Sequence, residues 1–351
     1  MRNIKLTEEL KKNKENKGDM PNIKQYYFQN IDDYKKFFRE YRTLNMINNK
    51  SDNLINLKNI KLYNKDNQAQ VDLIFPNEGI DLYSLINSKI YDYRNQKNLI
   101  KWILFQILKG IETLHSSNII HRNINPRNIL VSSTGKITLS GFEYSINDIE
   151  SKFVEDKIIG NLPYIAPECL LGLNYDNKID IWSTGIIMIE LYLKATDLLA
   201  FKKEKNDEYS NVKDDYNNKF LSQLKNIFNF FYIKSNFNFN NKNNIKDSLS
   251  LLNINKDIFA KIFGDISNMD DYALDLLKEL ITFNPKDRIS AKDALKSEYF
   301  KEFHYFLFED YHLSKFLINL EKNFQKKESE EQKMSKFKKE LINIYLNKGK
   351  K

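Results

Sequence analysis

Cysteine is nearly absent from this chain, which has one, Cys169, among 351 residues. A single thiol excludes an internal disulfide, so the composition does not call for an oxidising compartment. No apolar run approaches the ~20 residues that span a membrane, and the first residues alternate in charge without an apolar leader. These absences predict a cytoplasmic protein with no membrane partner.

Apolar and aromatic side chains are plentiful, at 41% and 13% of the residues. This is too rich for a disordered chain, although many Lys and Asn residues bring the mean hydropathy to -0.58. The formal net charge of +8 is spread along the whole chain, and dispersed lysines favour solubility more often than nucleic-acid binding. We therefore expect a globular protein, with two domains or one large bilobal domain, that has no nucleic-acid partner.

The most informative stretch is residues 119–142, which read IIHRNINPRNILVSSTGKITLSGF. It resembles the catalytic loop and metal-binding turn of eukaryotic protein kinases, where H-R-D-x-K-P-x-N is followed by two strands and D-F-G. Further segments resemble the mitogen-activated and cyclin-dependent kinases of the CMGC group, namely GIDLYSLINS, GNLPYIAPE, DIWSTG and NPKDR, in that order. The loop residues that match the kinase pattern are His121, Arg122, Pro126 and Asn128.

The residues that carry the chemistry in kinases are replaced in this loop. Asn123 stands in place of the catalytic aspartate and Asn125 in place of the loop lysine, and we assign the metal-binding aspartate of D-F-G to Leu139. An amide is no base for the incoming hydroxyl, and a leucine side chain offers magnesium no oxygen. From these changes we predict an inactive pseudokinase with no required cofactor, which binds ATP weakly and independently of magnesium.

The glycine loop that covers the phosphates in kinases is not found where the resemblance places it. Only Gly18 precedes Pro21, and residues 1–20 are expected to form a basic arm instead. Lys24 is the candidate for the strand lysine that holds the α- and β-phosphates, with Glu40 as its partner. The alternative, that Lys24 is an ordinary surface lysine on a short strand, stays open.

Periodic patterns predict the elements that follow Lys24. Residues 31–48 carry apolar side chains at helical spacing, with Asp32 or Asp33 as the cap. Residues 61–63 and 69–75 have the composition of two strands. These elements predict one helix and a small sheet in the first part of the chain.

The resemblance places the hinge between the two lobes directly after Phe75. An adenine ring would meet the carbonyl of Pro76 and the N–H of Glu78, groups that a proline at position 76 leaves intact. A purine therefore keeps its main-chain partners. Phe75 at the mouth of the back pocket argues for weak affinity.

Three further residues match positions that hold the kinase fold together. Asp180, in DIWSTG, matches the residue that anchors the backbone of the catalytic loop. Glu168 and Arg288 match the buried ion pair that ties the activation segment to the core. The resemblance implies structural roles for all three.

The activation segment itself offers one more candidate. In the resembling kinases an activating phosphate is gripped by two arginines, which match Arg39 and Arg122, and the phosphate position falls on Asp156. A fixed carboxylate there would be a weaker, permanent substitute for the phosphate. The alternative, that Asp156 is only a solvated charge on a loop, stays open.

The resemblance implies a mixed α+β, bilobal fold after the basic arm. A reduced amino-terminal lobe covers residues 21–78, and a mainly helical lobe covers residues 79–303, with an Asn- and Lys-rich variable region at residues 201–257. Residues 304–351 carry two amphipathic stripes and are expected to form a helical extension. Within it, residues 321–351 are the candidate surface for another protein.

Taken together, the motifs and their replacements predict a scaffold or structural subunit that keeps the kinase shape as a binding surface. Two alternatives stay open: a degenerate Ser/Thr kinase with residual or atypical activity, and an ATP sensor without phosphotransfer. A thermal-shift assay with ATP and magnesium discriminates among them.

Overall fold

The computed structural model describes residues 21–65, 68–88, 97–132, 134–147, 159–199 and 269–304, together with residues 223, 224, 226, 227 and 230. A small sheet and one long helix form the first part of the chain, and a larger, mainly helical part follows. This is the mixed α+β, bilobal arrangement that we expected. The expected basic arm without a glycine loop, most of the variable region and the extension after residue 304 lie outside the described residues, so the domain boundaries and the partner surface stay predictions.

The first sheet is antiparallel, with strand order β1-β3-β2, and consists of β1 (Asn22–Tyr27), β2 (Asn59–Lys65) and β3 (Gln68–Phe75). The central strand β3 buries the apolar residues Val71, Leu73 and Phe75 on one face, and Asp72 is buried on the other. The strands expected at residues 61–63 and 69–75 are both present: β3 begins one residue earlier, at Gln68, and β2 extends over seven residues, Asn59–Lys65.

Helix α1 (Ile31–Ile47) packs beside this sheet. Its N-cap is Asn30, one residue before the helix, and not one of the two aspartates that we expected. The Asn30 side chain accepts the N–H of Asp33, and the Asp33 carboxylate accepts the N–H of Asn30, which makes a capping box. Leu44 and Ile47 are buried on the face that meets the core.

Two small sheets lie below the first one. One has the order β4-β6-β7 and the other joins β5 to β8, where the strands are β4 (Ile80–Asp81), β5 (Ile119–Ile120), β6 (Ile129–Val131), β7 (Ile137–Leu139) and β8 (Ile146–Asn147). Strands β6 and β7 form a hairpin in which Ile129 is opposite Leu139. These short strands hold the loops that carry the candidate site.

Helices make up most of the second part. The α-helices are α2 (Leu82–Ile86), α3 (Lys97–Ser116), α4 (Pro167–Leu170), α5 (Lys178–Leu193), α6 (Asp271–Leu280), α7 (Ala291–Ala294) and α8 (Lys301–His304). Short 3-10 helices lie at Pro126–Asn128, Phe142–Tyr144, Leu162–Tyr164 and Glu298–Phe300. Within the described ranges, no helix is both long and apolar enough to cross a membrane.

Helix α5 is the centre of the helical part, since nearly all of its side chains are buried. A helix that is apolar on every side belongs in the interior of a domain. Its glycine, Gly185, allows close approach to α6: an added Cβ would lie 2.4 Å from Cγ2 of Ile281 and 3.1 Å from Cβ of Leu280. The two acidic residues of this helix, Asp180 and Glu190, are buried, and both carboxylates accept hydrogen bonds.

Candidate functional site

Residues 121–128 form a loop that is fixed by Asp180 of α5. The Asp180 carboxylate accepts the main-chain N–H groups of His121 and Arg122, each at 2.9 Å, and lies 2.9 Å from Nε2 of His115. Arg122 has a φ of 62°, a left-handed conformation that is uncommon outside glycine. The buried carboxylate thus holds a backbone shape that the local sequence does not favour.

Three asparagine side chains cross-link the loop. Nδ2 of Asn125 donates to the main-chain carbonyl of Asn123 at 2.8 Å and to its Oδ1 at 3.0 Å. Nδ2 of Asn128 donates to the same carbonyl at 2.8 Å. All three residues are buried. The amides keep the loop in one shape, but the side chain of Asn123 can only orient a hydroxyl and cannot take up its proton.

Above the loop, Lys24 of β1 lies between two carboxylates. It forms an ion pair with Glu40 of α1, and its Nζ is also 3.1 Å from Oε2 of Glu143. The Tyr26 hydroxyl donates to Glu40 as well. The Glu40 side chain is 2% exposed and that of Lys24 is 25% exposed. The structure therefore brings Lys24 and Glu40 together across the sheet and helix, and Lys24 is not an isolated surface lysine.

The structure does not place Leu139 at the metal-binding position to which we assigned it. Leu139 is a buried residue of β7, and its N–H donates to the carbonyl of Asn53 at 2.8 Å. Two residues later, an added Cβ on Gly141 would lie 2.6 Å from the amide of Asn128. In kinases the D-F-G aspartate and the loop asparagine hold the magnesium ions together, so position 141 corresponds to that aspartate. The aspartate is thus replaced by glycine, and our assignment was two residues too early.

Phe142 supports this register, since it stands where D-F-G has its phenylalanine. The side chain is fully buried and packs on His121, with ring centroids 4.9 Å apart. Its N–H donates to Oε1 of Glu40 at 3.3 Å. Burial lowers the pKa of His121, so its ring is neutral near pH 7 and packs as a neutral side chain. The turn is thereby tied both to the loop and to α1.

Glu143 is a site residue that the sequence reasoning missed. It directly follows Phe142, its side chain is 6% exposed, and its carboxylate reaches Lys24. Lys24 thus faces two buried carboxylates, Glu40 and Glu143. The signal in the sequence was an acidic residue at the glycine position of D-F-G.

The hinge residues lie between the first sheet and β4. Phe75 is buried, and the carboxylate of Glu78 lies 3.2 Å from Nζ of Lys136 and 3.3 Å from Oγ1 of Thr138. Pro76 is half-buried beside them. The Glu78 side chain is therefore bound to the β6–β7 hairpin, which fixes the position of the hinge relative to the loop.

The other sequence candidates lie below the loop. Glu168 of α4 and Arg288 form a buried ion pair, with Nη1 and Oε1 2.7 Å apart. Arg122 donates from Nη1 to the hydroxyl of Tyr175 at 2.7 Å, and the charge of Arg39 acts on the same hydroxyl. Asp156, the expected partner of these two arginines, lies outside the described residues, so its role stays a prediction.

Comparison with known proteins now places the chain. The protein kinase domain family matches residues 9–300. Mitogen-activated protein kinase 13 of Arabidopsis thaliana is 29% identical over 284 residues, which cover 79% of this chain and 70% of the relative. Extracellular signal-regulated kinase 2 of Dictyostelium discoideum is 30% identical over 286 residues, with the same two coverages. Serine/threonine-protein kinase ppk23 of Schizosaccharomyces pombe is 29% identical over 265 residues, 75% of this chain and 61% of the relative.

This chain belongs to the protein kinase family, and its relatives are of the CMGC type, as the motifs predict. The relatives are named as kinases, and kinases use ATP with magnesium. Our predictions of no enzyme and no cofactor are therefore contradicted, and the alternative of a degenerate Ser/Thr kinase is the better supported one. Those predictions also rested on Leu139 as the metal-binding position, and the structure places that residue in strand β7.

Proposed function

We propose that this chain is a slow protein kinase, which binds ATP between the first sheet and the catalytic loop and transfers its γ-phosphoryl group to Ser or Thr hydroxyls. The observation that carries the proposal is the ion pair between Lys24 and Glu40. In kinases this pair must be in place for the lysine to hold the phosphates. Here it exists together with a loop whose backbone is anchored by Asp180.

The residues at the site fit a nucleotide. Lys24 would hold the α- and β-phosphates, and the main chain at Pro76 and Glu78 would receive the adenine. Magnesium, when it is bound with the nucleotide, neutralises the charge that develops on the phosphates. The Lys24 side chain is 25% exposed, so it is not sealed in the interior of the protein.

Loss of the catalytic aspartate slows phosphoryl transfer but leaves the other contributions to catalysis in place. Phosphoryl transfer passes through a loose transition state, so catalysis is mostly positioning and electrostatic stabilisation. Asn123 can orient the acceptor hydroxyl but not accept its proton. Since general-base catalysis contributes about 10²- to 10⁴-fold, we expect turnover to be reduced by roughly that factor.

A transfer assay tests the proposal. The purified full chain is incubated with radiolabelled ATP, magnesium and a mixture of Ser/Thr peptides, and modified residues are located by mass spectrometry. We expect slow transfer that falls at least about tenfold in Lys24→Ala, because the phosphates lose their cation. Lys296→Ala is the matched control, since that side chain is 63% exposed and pairs with Asp293, three residues before it. Transfer that is absent from the wild type, or equal in Lys24→Ala, contradicts the proposal.

A further inference from the structure

Position 141 carries no carboxylate that could hold magnesium, and its backbone conformation favours glycine. Gly141 has a φ of 83°, which side-chain-bearing residues rarely adopt, and an added Cβ would lie 2.6 Å from Cγ and Oδ1 of Asn128. An aspartate at position 141 would strain the backbone of this turn and would displace the Asn128 side chain. If a carboxylate ligand exists on this side of the site, it must come from another residue.

Glu143 is the residue that offers one. Its carboxylate is buried, lies 3.1 Å from Lys24, and shares that lysine with Glu40. Glu40 has its own partners, because the Tyr26 hydroxyl and the Phe142 N–H both donate to it. Phosphates that engage the ammonium group of Lys24 would lie beside the carboxylate of Glu143. A divalent cation between the phosphates and this carboxylate offsets their mutual repulsion.

We propose that Glu143 is the carboxylate ligand of the divalent cation that accompanies the nucleotide, in place of the aspartate missing at position 141. The proposal rests on the function proposed above. Magnesium is ordinarily held by one or two carboxylates together with substrate phosphates and water, and not by an all-protein cage. Within the part of the chain that the structure describes, no group of three His, Cys, Asp or Glu side chains could hold a metal alone.

The position of Glu143 is suited to this role. It follows Phe142, which is fixed by burial against His121 and by its hydrogen bond to Glu40. Its carboxylate points to the lysine that receives the phosphates, so the phosphates and the carboxylate would meet at one place. The ligand has thus moved two positions along the chain while the turn keeps its place above the loop.

Nucleotide binding with and without metal tests this assignment, independently of phosphotransfer. Calorimetric titration of the full chain with a non-hydrolysable ATP analogue is performed in magnesium and in EDTA. We expect the wild type to bind the analogue more tightly in magnesium than in EDTA, and Glu143→Gln to lose at least about tenfold of that preference. Even the loss of a residue that only supports a metal ligand typically lowers metal affinity by about this factor. Binding in EDTA should not weaken, because the variant removes a negative charge beside Lys24. Glu298→Gln, at an exposed side chain that pairs with Lys301, is the matched control.

A second variant and a direct measurement guard against a folding defect in Glu143→Gln. Glu143→Asp keeps the charge and should retain part of the magnesium preference. In the wild type, manganese bound with the analogue should show hyperfine coupling to ¹³C-labelled glutamate carboxylates, and Glu143→Asp should lose it. A magnesium preference that is unchanged in Glu143→Gln, or no such coupling, overturns the assignment alone. Failure of the wild type to bind nucleotide in either buffer overturns the proposed function and this inference with it.

Discussion

Glu168 and Arg288 lie 120 residues apart in the chain and form a bidentate ion pair, with N–O distances of 2.7 and 3.0 Å. Neither side chain is more than 1% exposed. Arg288 also donates to the main-chain carbonyls of Thr282, Lys178 and Phe283. The pair therefore joins helix α4 to the start of α5 and to the segment that follows α6.

Removal of one partner of this pair should destabilise the protein strongly. Glu168→Ala leaves the guanidinium of Arg288 buried without its counter-charge, and we expect a loss of about 3 to 5 kcal/mol in the free energy of unfolding. Urea denaturation measures it. The control is Glu298→Ala, which breaks an exposed pair with Lys301 and should cost about 0 to 1 kcal/mol. Equal losses in the two variants would show that burial of the first pair has no energetic weight.

A base restored at position 123 should accelerate transfer. Asn123→Asp keeps the size of the side chain, and Nδ2 of Asn125, now 3.0 Å from Oδ1, can donate to the new carboxylate. We expect kcat to rise about 100-fold, the lower end of general-base catalysis, with little change in the KM for ATP. Initial rates at saturating ATP and magnesium measure it. The same substitution in a Lys24→Ala background should give no gain, and a fall in kcat in the single variant would contradict a base at this place.

The stability of the protein should fall as the pH rises because of Glu190. Burial raises the pKa of Glu190 to about 8 from its ordinary value of 4.5, although the Tyr164 hydroxyl, 2.8 Å from Oε2, opposes the shift. Between these values the folded state holds a proton that the unfolded state has released. The contribution of protonated Glu190 to the free energy of unfolding is thus fully present below about pH 4.5 and lost above about pH 8. It falls by roughly 1.4 kcal/mol for each pH unit between the two pKa values.

Glu190→Gln tests this dependence, because its amide stays neutral at every pH. The difference in unfolding free energy between wild type and variant should move in favour of the variant from about pH 5 to about pH 8. Groups such as His121 titrate in both proteins and cancel in the difference. A difference that does not change with pH would show that Glu190 is ionised in the folded state throughout.

A methyl group at position 185 should overfill the contact between α5 and α6. Gly185→Ala places its Cβ 2.4 Å from Ile281, and overpacking of this kind typically costs about 1 to 3 kcal/mol. The higher helix propensity of alanine offsets at most about 1 kcal/mol. A double-mutant cycle with Ile281→Ala measures the coupling: the two changes together should cost less than their sum. Strict additivity would mean that the contact relaxes freely.

The elements of the first part of the chain were predictable because their patterns are local. Apolar spacing over residues 31–48 predicts helix α1 to within one residue, and residues 69–75 predict β3. The N-cap was missed because it depends on a reciprocal pair of hydrogen bonds between Asn30 and Asp33. This pair makes Asn30 the cap of the helix.

The metal-binding position could not be found from the strand pattern. The length of the β6–β7 loop is not set by the apolar residues on either side, so Leu139 was chosen although it is a strand residue that faces the core. Phe142 was the usable signal, because counting from that phenylalanine gives Gly141. The contact between Lys24 and Glu143 spans 119 residues, and no local pattern reports a contact over such a distance.

The single thiol of the chain, that of Cys169, directly follows Glu168, which forms the buried ion pair with Arg288. Cys169 is 4% exposed, and burial raises its pKa well above the ordinary value, so the reactive thiolate is scarce while the protein is closed. A thiol reagent then reaches the sulfur chiefly during openings of this part of the fold. The rate at which Cys169 is modified therefore reports how often this part of the fold opens. The native chain thus carries its own probe of motions around Glu168, without any added label.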